Sequence, residues 1–171
     1  MSTSTIDDQL AEVRRRIDAL HANAQSPRMR RHLEALEQEE AFVRAAAREA
    51  PDEAEEKLGQ VKTRLDVAEH SLAADASRDW PAFAAAVEAE LHSWDTYLER
   101  LQASAAQNAW KAREQAEAAI GEIRARRIAV DERLAQARDA ACDDSHDARR
   151  RVTAARDELE QKADELSAKF N

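Results

Sequence analysis

The chain has 171 residues, a formal net charge of −9, 36% charged side chains, 4% aromatics, two glycines and three prolines. So few aromatics and so much alanine exclude a thick globular core. The acidic, evenly mixed charge (12 basic and 17 acidic residues up to residue 80, 14 and 18 after it) disfavours nucleic acid and anionic membranes as partners. Richness in Ala, Arg, Glu and Leu predicts an all-α protein of coiled-coil type, built as one domain over 1–171.

The first eight residues lack the basic and apolar stretches of a secretory signal. Ser4 and Thr5 each precede an acid by three residues, a capping-box spacing that starts a helix near 4–25. Ile6, Leu10, Val13, Ile17 and Leu20 then recur at alternating steps of four and three, an a/d seam. Ser26-Pro27 reads as an N-cap with proline in the first turn, opening a segment near 27–49 that carries Met29, Leu33, Leu36 and Val43. Ala50-Pro51 interrupts again. The two prolines are either kinks or chain reversals.

The next segment, near 52–75, carries acids in its first turn and a seam of Ala54, Leu58, Val61, Leu65, Ala68 and Leu72. The chain reverses near 76–79, where Asp79 caps the following helix. Pro81 sits in its first turn and no proline follows, so one helix is expected over 80–141, with a stutter after Ala105. At 1.5 Å per residue it would be about 90 Å long. Asp143-Asp144-Ser145 is a possible break before a last segment near 145–169.

Antiparallel pairing about the 76–79 reversal sets Leu72 against Phe83, Leu65 against Leu91, Val61 against Trp94 and Leu58 against Leu98. The expected fold is therefore an elongated helical hairpin or bundle of four or five segments. A compact helical bundle is the alternative.

Chemical motifs are sparse. His21, His32, His70, His92 and His146 have no partner at i+3 or i+4 and no Glu-x-x-His, so they read as solvated residues, not metal ligands. Cys142 has only His146 nearby and reads as a small seam or surface residue. Two glycines 62 positions apart cannot form a phosphate loop. No catalytic residue, metal or cofactor is expected. The arginine clusters (Arg14 to Arg16, Arg28/Arg30/Arg31, Arg124/Arg126/Arg127 and Arg149 to Arg151) are flanked by acids and read as ion-pair partners beside seams.

The longest apolar run, 82–87, is six residues against the roughly 20 a membrane helix needs. The single cysteine makes a reducing cytoplasm the expected compartment.

Three residues stand out as candidate protein contacts. Trp110 lies about 160° around an ideal helix from Trp94, off the main stripe. Tyr97 flanks the seam residue Leu98 and is expected to keep its hydroxyl in water. Phe170 closes the last apolar stripe. The resulting expectation is a non-enzymatic scaffold or adaptor acting through protein partners or self-association. Two alternatives stand beside it: an amphipathic coat on a lipid or hydrophobic-granule surface, which the acidic charge disfavours, and a helical-bundle metal or cofactor binder.

Overall fold

The computed structural model describes residues 3–107, 110–139 and 145–170. The side chains of residues 3, 4, 110, 111, 145, 169 and 170 lie outside that description. The described residues form six α-helices and no strand: α1 (Thr3–Asn23), α2 (Pro27–Ala46), α3 (Pro51–Ala76), α4 (Trp80–Ala105), α5 (Trp110–Asp139) and α6 (Ser145–Phe170). No helix among them is long and apolar enough to cross a membrane.

Local chemistry accounts for most of the boundaries. The Ser26 side chain accepts from the Met29 N–H at 3.1 Å, with Pro27 fixing the first turn of α2. Asp79 does the same for α4, accepting from the Ala82 N–H at 2.9 Å. The start of α3 has no side-chain cap; Pro51 and the first-turn acids Asp52 and Glu53 set it. Pro27 and Pro51 are chain reversals, because α1, α2 and α3 all pack against one another.

The expected helix over 80–141 is divided: α4 ends at Ala105 and α5 begins at Trp110. The Ala106 N–H bonds to Gln102 O, and the Gln107 N–H to Ser104 O. No proline or glycine marks this break. Between Leu101 and Ile120 the stripe offers only alanines, so a straight helix buries little there. Folding back instead lets Ile120, Ile123, Val130 and Leu134 share one core with Phe83, Val87, Leu91 and Trp94. The four or five segments expected are thus six. The expected break near 143–145 falls largely outside the described residues, as does Cys142.

Ion pairs between helices fix the directions. Arg16 reaches Asp66 and Glu69, and Lys62 reaches Gln9, so α1 and α3 run parallel. Arg28 meets Asp75 across antiparallel α2 and α3. Arg127 with Asp95 and Arg138 with Glu88 align antiparallel α4 and α5. Arg126 with Glu158 and Lys162 with Glu122 do so for α5 and α6. The pairs exposed at both partners, Arg126 with Glu158 and Arg138 with Glu88, contribute little to stability.

The apolar residues divide into two clusters. The seam residues of α1, α2 and α3 form one: Ile6, Leu10, Val13, Ile17, Met29, Leu33, Leu36, Leu58, Val61 and Leu65 among them. The stripes of α4, α5 and α6 form the other, and α3 adds only Val67 and Ala74 to it. This overturns the expected pairing of the 54–72 seam with 83–101. Leu58, Val61 and Leu65 turn toward α1 and α2; Trp94, Leu91 and Leu98 turn toward α5 and α6. The two halves meet through α3 against α4 and, more briefly, α2 against α6.

Candidate functional site: a charged seam between two apolar cores

Helix α3 has two buried faces. One is the seam 54, 58, 61, 65, 68, 72. The other lies largely one residue earlier at each step: Gln60, Arg64, Val67, Ser71 and Ala74. Their four-three spacing keeps them on one side of the helix. That side is polar at its centre, and it meets polar residues from α2, α4 and α6.

Arg64 is fully buried. Its guanidinium donates to Glu39 of α2 and to Asp164 of α6, and to the Ser167 hydroxyl at 2.9 Å. It also lies 5.9 Å from the Tyr97 ring of α4. One side chain thus ties four helices. Burial works against its charge, but Glu39 and Asp164 keep it a cation.

Two to three turns further along α3, Arg156 of α6 joins three helices in the same way. It donates to Glu90 Oε2 at 2.7 Å, to Asp75 Oδ1 at 3.2 Å, and to the carbonyl and hydroxyl of Ser71 at 3.1 and 2.9 Å. Asp75 is shared: Arg28 of α2 meets both its oxygens at 2.7 Å. Arg28 also faces Asp157 at 3.0 Å and Glu160 at 3.5 Å. Planar guanidinium groups suit such multi-partner sites better than lysine would.

His32 completes the seam. It is fully buried, with Nδ1 3.2 Å from Glu160 Oε1. That is ion-pair range, yet neither atom makes an aligned hydrogen bond, and Arg28 Nη1 is likewise unbonded. The centre of the seam is attractive but imperfectly paired, which is costly in a low-dielectric interior.

The proton inventory follows from the geometry. Six carboxylates (Glu39, Asp75, Glu90, Asp157, Glu160 and Asp164) face three guanidinium groups and one imidazole. Burial pushes the Glu90 carboxyl up, with Glu160 adding to it against the pull of Arg156 and Arg28. Burial pushes Asp164 up as well, against Arg64 and His32. Glu160 goes the other way: burial opposes its ionised form, but His32, Arg28 and Arg156 outweigh it and hold it below the usual carboxylate value.

A second polar pair joins α3 to α4. His70 Nδ1 lies 2.9 Å from Ser93 Oγ, and the Ser93 hydroxyl donates to Ala89 O at 3.2 Å. The one hydroxyl proton can go to Ala89 O or to the imidazole, so the tautomer of His70 sets which of the pair donates. Nearby, Arg149 of α6 lies 4.6 Å over the Phe83 ring and donates to the last carbonyls of α3, Ala74 O and Asp75 O. That adds a donor at the helix C-terminus, where Ala74 O also accepts from the Ser77 N–H at 3.2 Å.

Cavities follow the same seam. At the end where α2, α4 and α6 finish, a cavity of about 380 Å³ is lined by Phe42, Val43, Val61, Leu101, Ile120 and Leu166, with Tyr97, Glu53 and Glu56 around it. At the other end a wider cleft of about 1200 Å³ takes in Arg28, Arg31, Phe83, Arg149 and Asp157. Phe42, at 37%, is one of two exposed large apolar side chains among the described residues, Ile128 on α5 being the other.

The residues expected as contacts fare differently. Tyr97 is buried, not flanking with its hydroxyl in water. Its ring packs edge-on against Trp94 at 5.9 Å, and Ser167 stands beside its hydroxyl. Burial pushes that hydroxyl up to about 12, with Arg64 opposing and Glu39 reinforcing. The reason is the second leaf of helices: α6 covers the side of α4 that a two-strand hairpin would leave wet. Trp110 begins α5 and Phe170 ends α6, but their side chains lie outside the described residues.

His32 is buried, contrary to the expectation of solvated histidines, because α6 closes over that face of α2. Among the described residues no group of three or more His, Cys, Asp or Glu is arranged to hold a metal ion. Comparison with known proteins finds no matching family model, no matching curated protein and no matching solved structure.

Proposed function

We propose that this chain is a non-enzymatic helical adaptor that acts through protein–protein association, self-association of coiled-coil type included. The reading rests on one observation: an apolar cavity opens at the end where α2, α4 and α6 finish, with Phe42 exposed at its mouth. Its size falls in the range that accepts a ligand or one large side chain. The occupant proposed is an apolar, aromatic-sized side chain of a partner protein. Glu53, Glu56 and Lys57 also line it, so charged groups of both signs border the apolar surface as at the rim of an interface. The buried arginines support the same reading, since each is spent on holding helices together and presents no reacting group to a substrate.

The test is a filled cavity. Leu101→Trp should abolish capture of partner proteins from the source cells while helicity and melting temperature are kept. A photo-crosslinker replacing Phe42 should label that same partner, and one replacing Ile128 should not. Capture and crosslinking that ignore both changes would sink the reading.

A further inference from the structure

The charged seam has a mechanical consequence. Helices α1–α3 enclose one apolar cluster and α4–α6 enclose the other, so each leaf keeps its own core. The leaves share a long contact between α3 and α4, beside the short 77–79 connection, and a brief one between α2 and α6; between these, α6 bonds to α3 through Arg64 with Asp164, Arg156 with Ser71 and Asp75, and Arg149 with Ala74 O. Across the α2–α6 edge the contacts are ionic: Arg28 with Asp157 and Glu160, and His32 with Glu160, backed by Arg64 between Glu39 and Asp164.

Three cavities run along this one edge. The two end cavities each take lining from both α2 and α6. A third, of about 380 Å³, lies between them against Arg28, Arg31, Glu160 and Asp164. Surface clefts thus border the edge from one end to the other, while His32, Arg64, Arg156 and Glu160 stay buried beneath them. Unpaired buried polar atoms recur along the seam: both ring nitrogens of His32, Arg28 Nη1, Glu160 Oε1, Arg64 Nε and Glu90 Oε1.

We infer that the α2–α6 edge is a latch, and that the two leaves open along it like a book hinged on α3 and α4. Opening exposes charged groups that water solvates well, so it forfeits little. A buried ion pair contributes weakly to holding its partners together, whereas an apolar interface of the same size would not part. Polar contacts between separately cored units are where relative motion is expected. The open state bares Arg28, His32 and Glu39 on one leaf and Arg156, Glu160 and Asp164 on the other. The latch does not depend on the adaptor reading, since it concerns the chain alone.

Thiol accessibility tests it, in a Cys142→Ser background. Ser71→Cys places a thiol in the seam. Ala68→Cys places one on the other buried face of the same helix, in the α1–α3 cluster. Under native conditions the seam thiol should react on the order of tenfold faster or more than its control, with little dependence on urea, as sub-global opening requires. Should Ser71→Cys fail to fold, Ala74→Cys probes the same face.

Changing Glu39, Arg64 and Asp164 together to Leu, Met and Leu should slow the seam thiol toward the rate of the control. Equal rates for the two thiols, both tracking global unfolding, would overturn the latch. So would a seam rate that the apolar replacement leaves unaltered.

Discussion

Arg64 and Leu65 are neighbours on one helix, both fully buried, and they face different interiors. Leu65 enters a dry cluster of Ile, Leu, Met and Val drawn from α1, α2 and α3. Arg64 enters a seam of guanidinium and carboxylate groups drawn from α2 and α6. The first interior is held by area removed from water and tolerates any residue of matching shape. The second is held by geometry, and each group depends on a named partner. One helix can serve both because two stripes of four-three spacing fit on its surface one residue apart.

The sharpest way to break this comparison is to truncate each residue. Arg64→Ala leaves Glu39 and Asp164 buried without their cation and should destabilise the fold by about 3–5 kcal/mol in urea denaturation. Leu65→Ala should cost about 2–5 kcal/mol through lost transfer energy and the cavity left behind. The two losses are similar in size, but only the first has a rescue. Replacing the whole trio of Arg64, Glu39 and Asp164 with apolar residues should restore stability or raise it by about 1–4 kcal/mol. A trio variant as unstable as Arg64→Ala would mean that the seam is more than balanced charge.

A smaller effect is expected with pH, and its two limbs have opposite signs. Glu90 and Asp164 have raised values in the fold, so ionising them costs stability, and that cost fades as pH falls through their raised values. Glu160 has a lowered value. Its contribution is complete above the ordinary glutamate value of 4.5 and is lost as pH falls through its lower folded value. Stability should therefore rise as pH falls through the raised values of Glu90, Asp164 and Asp157, and then drop as Glu160 takes its proton. Glu90→Gln should flatten the first limb, and Glu160→Gln the second. A profile that falls monotonically from pH 7 would contradict the assignment.

The smallest effect is local and spectroscopic. Tyr97 is the chain's one tyrosine, so tyrosinate absorbance reports it alone. Its ionisation should be centred at about 12, not at the ordinary 10.0. A midpoint at the ordinary value would place the ring in water and remove α6 from that side of α4.

Much of the helical pattern was legible from residue spacing. The a/d positions from Ile6 to Leu72 and from Phe83 to Leu98 are nearly all buried, because a helix that must bury one stripe announces it in its period. The second face of α3 also left a trace: Val67 and Ala74 recur with the small Ser71 between them. Charge hid the rest. Arg64, Arg156, His32 and Glu160 look like solvated side chains in a sequence that is 36% charged. A residue's type records that it is charged but not which helix lies opposite.

What the sequence determined by itself is the all-helical character, the caps at Ser26 and Asp79, and most of the aliphatic residues that leave water. These depend on spacing within a few turns of one helix. The tertiary structure alone decided which stripes meet, that the long run after Trp80 turns back near residue 106 with no breaker, and that ion pairs fill the space between two apolar cores. Those outcomes depend on comparing the burial available to alternative partners, and that comparison exists only once the helices are packed together.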